Sequence, residues 1–179
     1  KDILGAWQRK YQYILVDEFQ DINRVQYEIV RMLAAPENNL FIVGDDDQSI
    51  YRFRGAKPEI MLGFEKDYPD AERVLLNINF RSTKDIVDTA GKLIAHNKTR
   101  FPKEIVTKQG RGKPVVTRVW KDPQEETLEI VHEITDYTGA GYAWSDIAVL
   151  YRTNLGPRLL IEKLMEYNIS SIRFRNSGL

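Results

Sequence analysis

An α/β fold with a mostly parallel sheet is what this sequence predicts, and three observations carry that reading. Short apolar runs at 13–16, 40–43 and 147–151 have the length and composition of buried strands, covered on both faces. Between them, apolar residues recur at helical spacing, so that strands alternate with helices, as in a parallel sheet with crossover connections. The first two runs also end in carboxylates, Asp17-Glu18 and Asp45-Asp46-Asp47, and the carboxyl ends of strands are where ligands sit in open α/β sheets. One carboxylate there can hold a magnesium ion, directly or through water. Its neighbour can orient or deprotonate a water. A single run followed by an acidic pair would as readily begin a polar loop.

Taken in order, Asp21 is placed to cap a helix whose apolar stripe is Ile22, Val25, Ile29, Val30 and Leu33, with Pro36 as its stop. The strand 40–43 follows. After Gly44 comes a polar and aromatic loop. Pro58 suits the first turn of another helix, burying Ile60, Met61 and Phe64. Residues 73–78 read as a third strand. Ser82 and Asp85 have capping-box spacing, ahead of a helix with Ile86, Val87, Ala90, Leu93 and Ile94 on one face. The stretch 99–113 has no periodicity and reads as a loop. Its cations, with Lys98 before it and Arg118 after it, read as a solvated charge run, with a phosphate track as the alternative. Residues 114–120 are rich in Val and Thr and suit a strand. Asp122-Pro123 opens a helix bearing Leu128, Val131 and Ile134, which Gly139-Ala140-Gly141 ends. The strand 147–151, a helix with Leu159, Leu160, Leu164 and Met165, and a short strand at 170–174 complete the chain. His96 and His132 are isolated, with no metal-ligand spacing around them.

The 179 residues are 42% hydrophobic and 29% charged, with a formal net charge of +0. That suits one domain or two small lobes with a real core. The chain has no cysteine, which excludes disulfides and thiolate metal sites. No apolar run is long enough to span a membrane and no signal peptide opens the chain, so a cytoplasmic protein is the default expectation. The chain begins with Lys and carries no G-x-x-x-x-G-K-[ST] phosphate loop. It reads as a piece of a larger protein and, alone, as inactive on ATP.

Three segments together resemble a known family. Asp17-Glu18-Phe19-Gln20-Asp21, then the long run from Val43 to Ala56 (V-G-D-D-D-Q-S-I-Y-R-F-R-G-A), then Asn79-Phe80-Arg81-Ser82 are similar, in order and spacing, to motifs II, III and IV of superfamily 1 DNA helicases of the UvrD/PcrA/Rep branch. The resemblance implies two partial RecA-like lobes of the P-loop NTPase type, the first over 1–77 and the second over 78–179. It also implies ATP and Mg²⁺ as cofactors and 3′-to-5′ movement on single-stranded DNA, with unwinding at single-strand/duplex junctions and roles in repair or replication. The remaining helicase domains of the same chain are its expected partners. A helicase–nuclease subunit of the RecB/AddA kind is an alternative. Those tend to carry Lys where Asp47 stands. A DNA-binding scaffold without hydrolysis is a third reading.

Residue by residue, the resemblance makes Asp17 the magnesium ligand and Glu18 the catalytic carboxylate. Gln48 becomes the γ-phosphate sensor, its amide able both to donate and to accept. Arg81 becomes a γ-phosphate contact whose planar fork suits phosphate, and Phe80 the aromatic that stacks on adenine. From the residues alone, Phe80 equally suits a core position. Gln20 and Asp21 are expected to act through neighbours. Tyr51, Arg52, Phe53 and Arg54 interleave rings and cations, a composition suited to single-stranded DNA. Tyr51 and Phe53 would be stacking groups, though either could be core, and the family commonly has Trp at the position of Phe53. Arg54 is expected to bridge DNA and the acidic motif II, with Arg52 a plain solvated side chain. Asn154, in Tyr151-Arg152-Thr153-Asn154, falls where the family places DNA contacts.

Overall fold

The computed structural model describes residues 2–172. Helices and short parallel strands alternate, and the chain divides into two compact units, Lys1–Val115 and Val116–Leu179.

The first unit opens with α1 (Ile3–Lys10), capped by the Asp2 side chain on the Gly5 N–H. β1 (Ile14–Val16) and β2 (Leu40–Ile42) pair in parallel, with Leu15 opposite Phe41. α2 (Arg24–Ala34) is the crossover between them. Its N-cap is Asn23, in a reciprocal capping box with Gln26, and not Asp21. A 3₁₀ turn at Phe19–Asp21 takes up the residues that were expected to start the helix. That turn places Phe19 at the centre of the core. Its ring meets Tyr27 and Phe64 edge-on, at 5.9 and 5.7 Å. Val16, Ile22, Val30, Ile42, Ile60 and Met61 close around it. Edge-to-face pairs of this kind add about 0.5–1.5 kcal/mol each to plain burial. Tyr27 also donates to Asp67 across 2.7 Å, and burial, then Asp67, pushes its phenol pKa up. α3 (Pro58–Leu62) and α4 (Phe64–Asp67) bring Ile60, Met61 and Phe64 to this core, broken apart at Gly63.

The strands are covered on one side only. Leu15 and Phe41 are 70% and 61% exposed, against the expectation of cover on both faces. Side chains alternate across a strand, so Ile14, Val16 and Ile42 are the more buried while Leu15 and Phe41 line an outer groove with Tyr13, Leu40 and Tyr68.

The third strand is shorter than predicted. β3 is Ile78–Asn79, and it pairs in parallel with β4 (Val106–Thr107), inside the stretch that reads from sequence as loop. α5 (Lys84–Ile94) connects the two. Its N-cap residue is Thr83 and not Ser82. Asp85 accepts from Arg111 and the Gly112 N–H.

In the second unit, α6 (Pro123–Gly139) starts at Asp122, whose carboxylate accepts from the Glu125 N–H. It packs on α7 (Arg158–Glu166) through Val131, Ile134, Leu160 and Leu164. Met165, expected on the buried face, is exposed. Neither 114–120 nor 147–151 forms a strand. Of the strand expected at 170–174, residues 170–172 are irregular and the rest lies outside the described residues.

Candidate functional site

The site is built where β1 and β2 end side by side. Val43 donates to the Val16 carbonyl and Phe19 donates to the Val43 carbonyl, both at 2.9 Å. The parallel pairing thus continues into both acidic segments. Gly44 sits where the two chains touch. A Cβ there would meet Gln20 Oε1 at 2.7 Å and the Phe19 nitrogen at 3.1 Å, so any larger residue would push the Gln20 amide out of place.

Glu18 has a left-handed backbone, φ 49° and ψ 42°. For a residue with a Cβ this costs on the order of 1–3 kcal/mol, and such strain gathers at functional sites. Asp17 accepts from the Glu18 N–H at 2.8 Å. Glu18 Oε2 accepts from Gln20 Nε2 at 2.8 Å. Gln20 is buried, and its Oε1 accepts from the Asp45 N–H at 3.0 Å. Asp45 Oδ2 in turn accepts from Gln48 Nε2 at 2.7 Å. One hydrogen-bonded path therefore joins Glu18 to Gln48, the two residues assigned to water activation and phosphate sensing. Gln20 is its middle. Among the described residues, neither Asp17 nor Glu18 makes an ion pair. Asp21 lies beside them with a buried Oδ1 that finds no hydrogen-bond partner. Burial, then the Glu18 charge, raises its pKa.

The triplet Asp45-Asp46-Asp47 is surrounded differently. Arg100 grips Asp47 with two nitrogens, Nε to Oδ1 at 2.7 Å and Nη2 to Oδ2 at 2.5 Å. Lys103 Nζ reaches Asp45 Oδ1 at 2.7 Å, Asp46, and Asp47 Oδ2 at 3.2 Å. The Phe101 N–H donates to Asp46 Oδ2 at 2.8 Å. Burial alone would raise the Asp45 and Asp47 carboxyls. The hydrogen bonds and charges of Lys103 and Arg100, with Gln48 at Asp45, outweigh it and hold both below the usual carboxylate range. These two cations are therefore not the solvated loop charges expected from sequence. Sequence reasoning missed them because no local pattern marks a partner more than fifty residues away.

Phe53 and Phe80 are 72% and 67% exposed, which removes the core reading for both. Tyr51 is half-buried and stands 5.9 Å from Phe53. Arg54 lies over both rings, 5.0 Å from Tyr51 and 5.5 Å from Phe53. It stacks there and forms no ion pair with motif II among the described residues, as the guanidinium plane suits a ring face. Gly55 follows at φ 88°, turning the chain away from this patch. Arg52 pairs with Glu59 at 2.9 Å on the surface. Asn79 Oδ1 accepts from the Arg81 and Ser82 N–H groups, a side-chain turn that presents Phe80 and Arg81 outward. Arg81 is exposed and without an ion pair among the described residues. Asn154 belongs to the second unit, in the exposed turn before α7.

Among the described residues, no hydrogen-bond donor reaches the second Asp17 oxygen, which fits a hard cation that takes oxygen ligands. No group of three or more His, Cys, Asp or Glu among the described residues could hold a metal. This chain would thus offer one carboxylate, leaving phosphate and water to complete the shell. No helix among the described residues is long and apolar enough to cross a membrane.

Residues 1–69 match the family model of the UvrD/REP helicase N-terminal domain, and residues 74–176 match that of the UvrD-like helicase C-terminal domain. YjcD of Bacillus subtilis is 45% identical over 168 residues, covering 94% of this chain and 22% of YjcD. The ATP-dependent DNA helicase PcrA of Staphylococcus epidermidis is 42% identical over 168 residues, and that of Leuconostoc citreum 43% over 169, each covering 94% of this chain and 23% of the relative. The chain thus spans less than a quarter of the length of these relatives. With a strained carboxylate at one strand end, a glutamine wired to it from the next, and both family models matched in succession, this chain belongs to the UvrD/REP helicase family.

Proposed function

We propose that this chain is part of an ATP-dependent DNA helicase or translocase that moves 3′ to 5′ on single-stranded DNA, with 1–77 and 78–179 belonging to two RecA-like lobes. The observation that carries this reading is the hydrogen-bonded path Glu18–Gln20–Asp45–Gln48. Bound Mg²⁺ and ATP supply the metal charge and the transferable γ-phosphoryl. The residues supply position, which is most of what phosphoryl transfer asks of a protein. Asp17 holds the metal. Glu18 takes the proton of the attacking water, its carboxylate aimed by the Gln20 amide. Gln48 exchanges its bond to Asp45 for one to the γ-phosphate, and Arg81 adds charge from the second lobe. Phe80 stacks on the base of the nucleotide.

Tyr51, Phe53 and Arg54 form the strand-binding patch of the first unit, and Asn154, in the second unit, is a further DNA contact. The exposed rings and their overlying cation support this. A stacking ring three to five residues beyond Gln48 gives hydrolysis a short route to the DNA. The test is an asymmetry in the full-length enzyme. Phe53→Ala should weaken single-strand binding by roughly 1–3 kcal/mol, one lost stacking platform. It should impair unwinding yet leave DNA-independent ATP hydrolysis nearly unchanged. Gln48→Ala should impair both. Equal loss of hydrolysis in the two variants would overturn the assignment.

A further inference from the structure

Three consecutive carboxylates should repel one another, yet here they fold into a compact turn. Asp46 is the extreme case, its side chain only 2% exposed. Lys103 makes this tolerable. Its side chain is 7% exposed, and the ammonium faces Asp45, Asp46 and Asp47 together. An ammonium has three N–H donors in a tetrahedral fan, one for each carboxylate. A planar guanidinium could not divide itself that way. Arg100 takes the outer face of Asp47. One oxygen of Asp45 is thus fixed by Lys103, and the other holds the Gln48 amide. The Asp45 N–H leads through Gln20 to Glu18.

From this geometry we infer that Lys103 is a positioning residue for ATP hydrolysis, setting the Gln48 amide and the Gln20–Glu18 contact by locking the Asp45–Asp46–Asp47 turn. The inference rests on the reading of the site given above. It also takes Lys103 and Arg100 away from DNA, since both are buried in ion pairs that a phosphate would have to break. Without Lys103 the turn loses the only cation shared by all three carboxylates among the described residues. Gln48 then loses its fixed acceptor. Small misplacements of this kind lower turnover by up to about 10²-fold without removing a reacting group.

The test uses the full-length enzyme with Lys103→Met, Lys103→Arg and, as a surface control from the same basic stretch, Lys98→Met. Three readouts are taken per folded molecule: kcat and KM for ATP with saturating single-stranded DNA, strand affinity, and hydrogen exchange of amides 45–49 without nucleotide. Lys103→Met should lower kcat by about 10–100-fold, leave KM and strand affinity within about twofold, and speed exchange at 45–49 but not in α2. Lys103→Arg, which keeps the charge and should fold, should lower kcat to an intermediate degree. Lys98→Met should match the wild type. In a Gln48→Ala background, Lys103→Met should lower kcat by less than it does alone, because part of its effect passes through that amide. Unchanged kcat, unchanged exchange, an effect that multiplies with Gln48→Ala, or lost strand affinity with normal kcat each overturns the inference. A wild-type enzyme that does not hydrolyse ATP overturns instead the reading on which it rests, and the exchange result still decides whether Lys103 holds the turn.

Discussion

Two acidic groups stand at the ends of neighbouring parallel strands, and the protein treats them oppositely. Asp45, Asp46 and Asp47 after β2 are met by Lys103, Arg100 and a backbone N–H. Asp17 and Glu18 after β1 meet amide donors only. The first group is largely offset by the chain's own two cations and behaves as structure. The second keeps its charge facing solvent, on a strained backbone, with a third carboxyl, Asp21, pressed beside it. In the proposed function, chemistry lies at the β1 end and support at the β2 end, and Gln20 and Gln48 join them.

The largest expected effects follow from exchanging the two treatments. Glu18→Gln in the full-length enzyme should lower ATP turnover on the order of 10²–10⁴-fold, as for a lost acid–base group. Nucleotide binding should be nearly intact, measured by equilibrium titration beside steady-state kinetics. Normal turnover would place the catalytic carboxylate elsewhere. Stability should respond the other way round. Lys103→Met strands buried carboxylates and should cost about 3–5 kcal/mol in denaturant unfolding. Asp17→Asn should change stability by no more than about 0.5 kcal/mol, while weakening the dependence of hydrolysis on Mg²⁺. If Asp17→Asn destabilised as much as Lys103→Met, both acidic groups would be structural and the contrast would fail.

The β1 end was more legible than the β2 end, for physical reasons. An apolar run followed by carboxylates is a local pattern, and so are the helical stripes of α2, α5 and α6, each of which forms near its expected place. What sequence did not carry was pairing. Residues 147–151 are as apolar as 13–16, yet only the latter find a neighbour to bond with, and strand propensity depends on such context. β4 lies in a stretch with no periodicity because two bonded residues need none. Lys103 looked like a solvated cation because a charge run says nothing about distant carboxylates. The left-handed Glu18 and the 3₁₀ turn after it carry no residue signature either, and they displaced the helix cap from Asp21 to Asn23. Exposure of Phe53 and Phe80 could be decided only by packing.

The smallest effect is a sign, and it separates the two acidic groups by pH alone. Asp45 and Asp47 have pKa values below the ordinary 3.8. Their contribution to stability is present above pH 3.8 and disappears as pH falls through their lower folded values. Lys103 has a raised pKa. Burial opposes this, but the bonds to Asp45 and Asp46 prevail. Its contribution is full below its ordinary 10.5 and lost only as pH rises beyond. The β2 end should therefore add a constant amount from about pH 5 to 9. Asp21 runs the other way. Its pKa is raised by burial and by Glu18, so the folded state holds its proton more tightly than the unfolded chain does. That contribution is full below pH 3.8 and is lost as pH rises through the folded value. The ionised form of Asp21 carries a buried oxygen with a like charge beside it. Asp21→Asn should then raise stability at pH 7 on the order of 0.5 kcal/mol, a small figure because the residue is partly exposed and screened. It should also remove any decline in stability as pH rises from 3.8 through the folded value. Urea midpoints for wild type and variant across that range measure both. A variant that lost stability at pH 7, with the same slope as wild type, would mean that Asp21 is held by its neighbours and not strained by them.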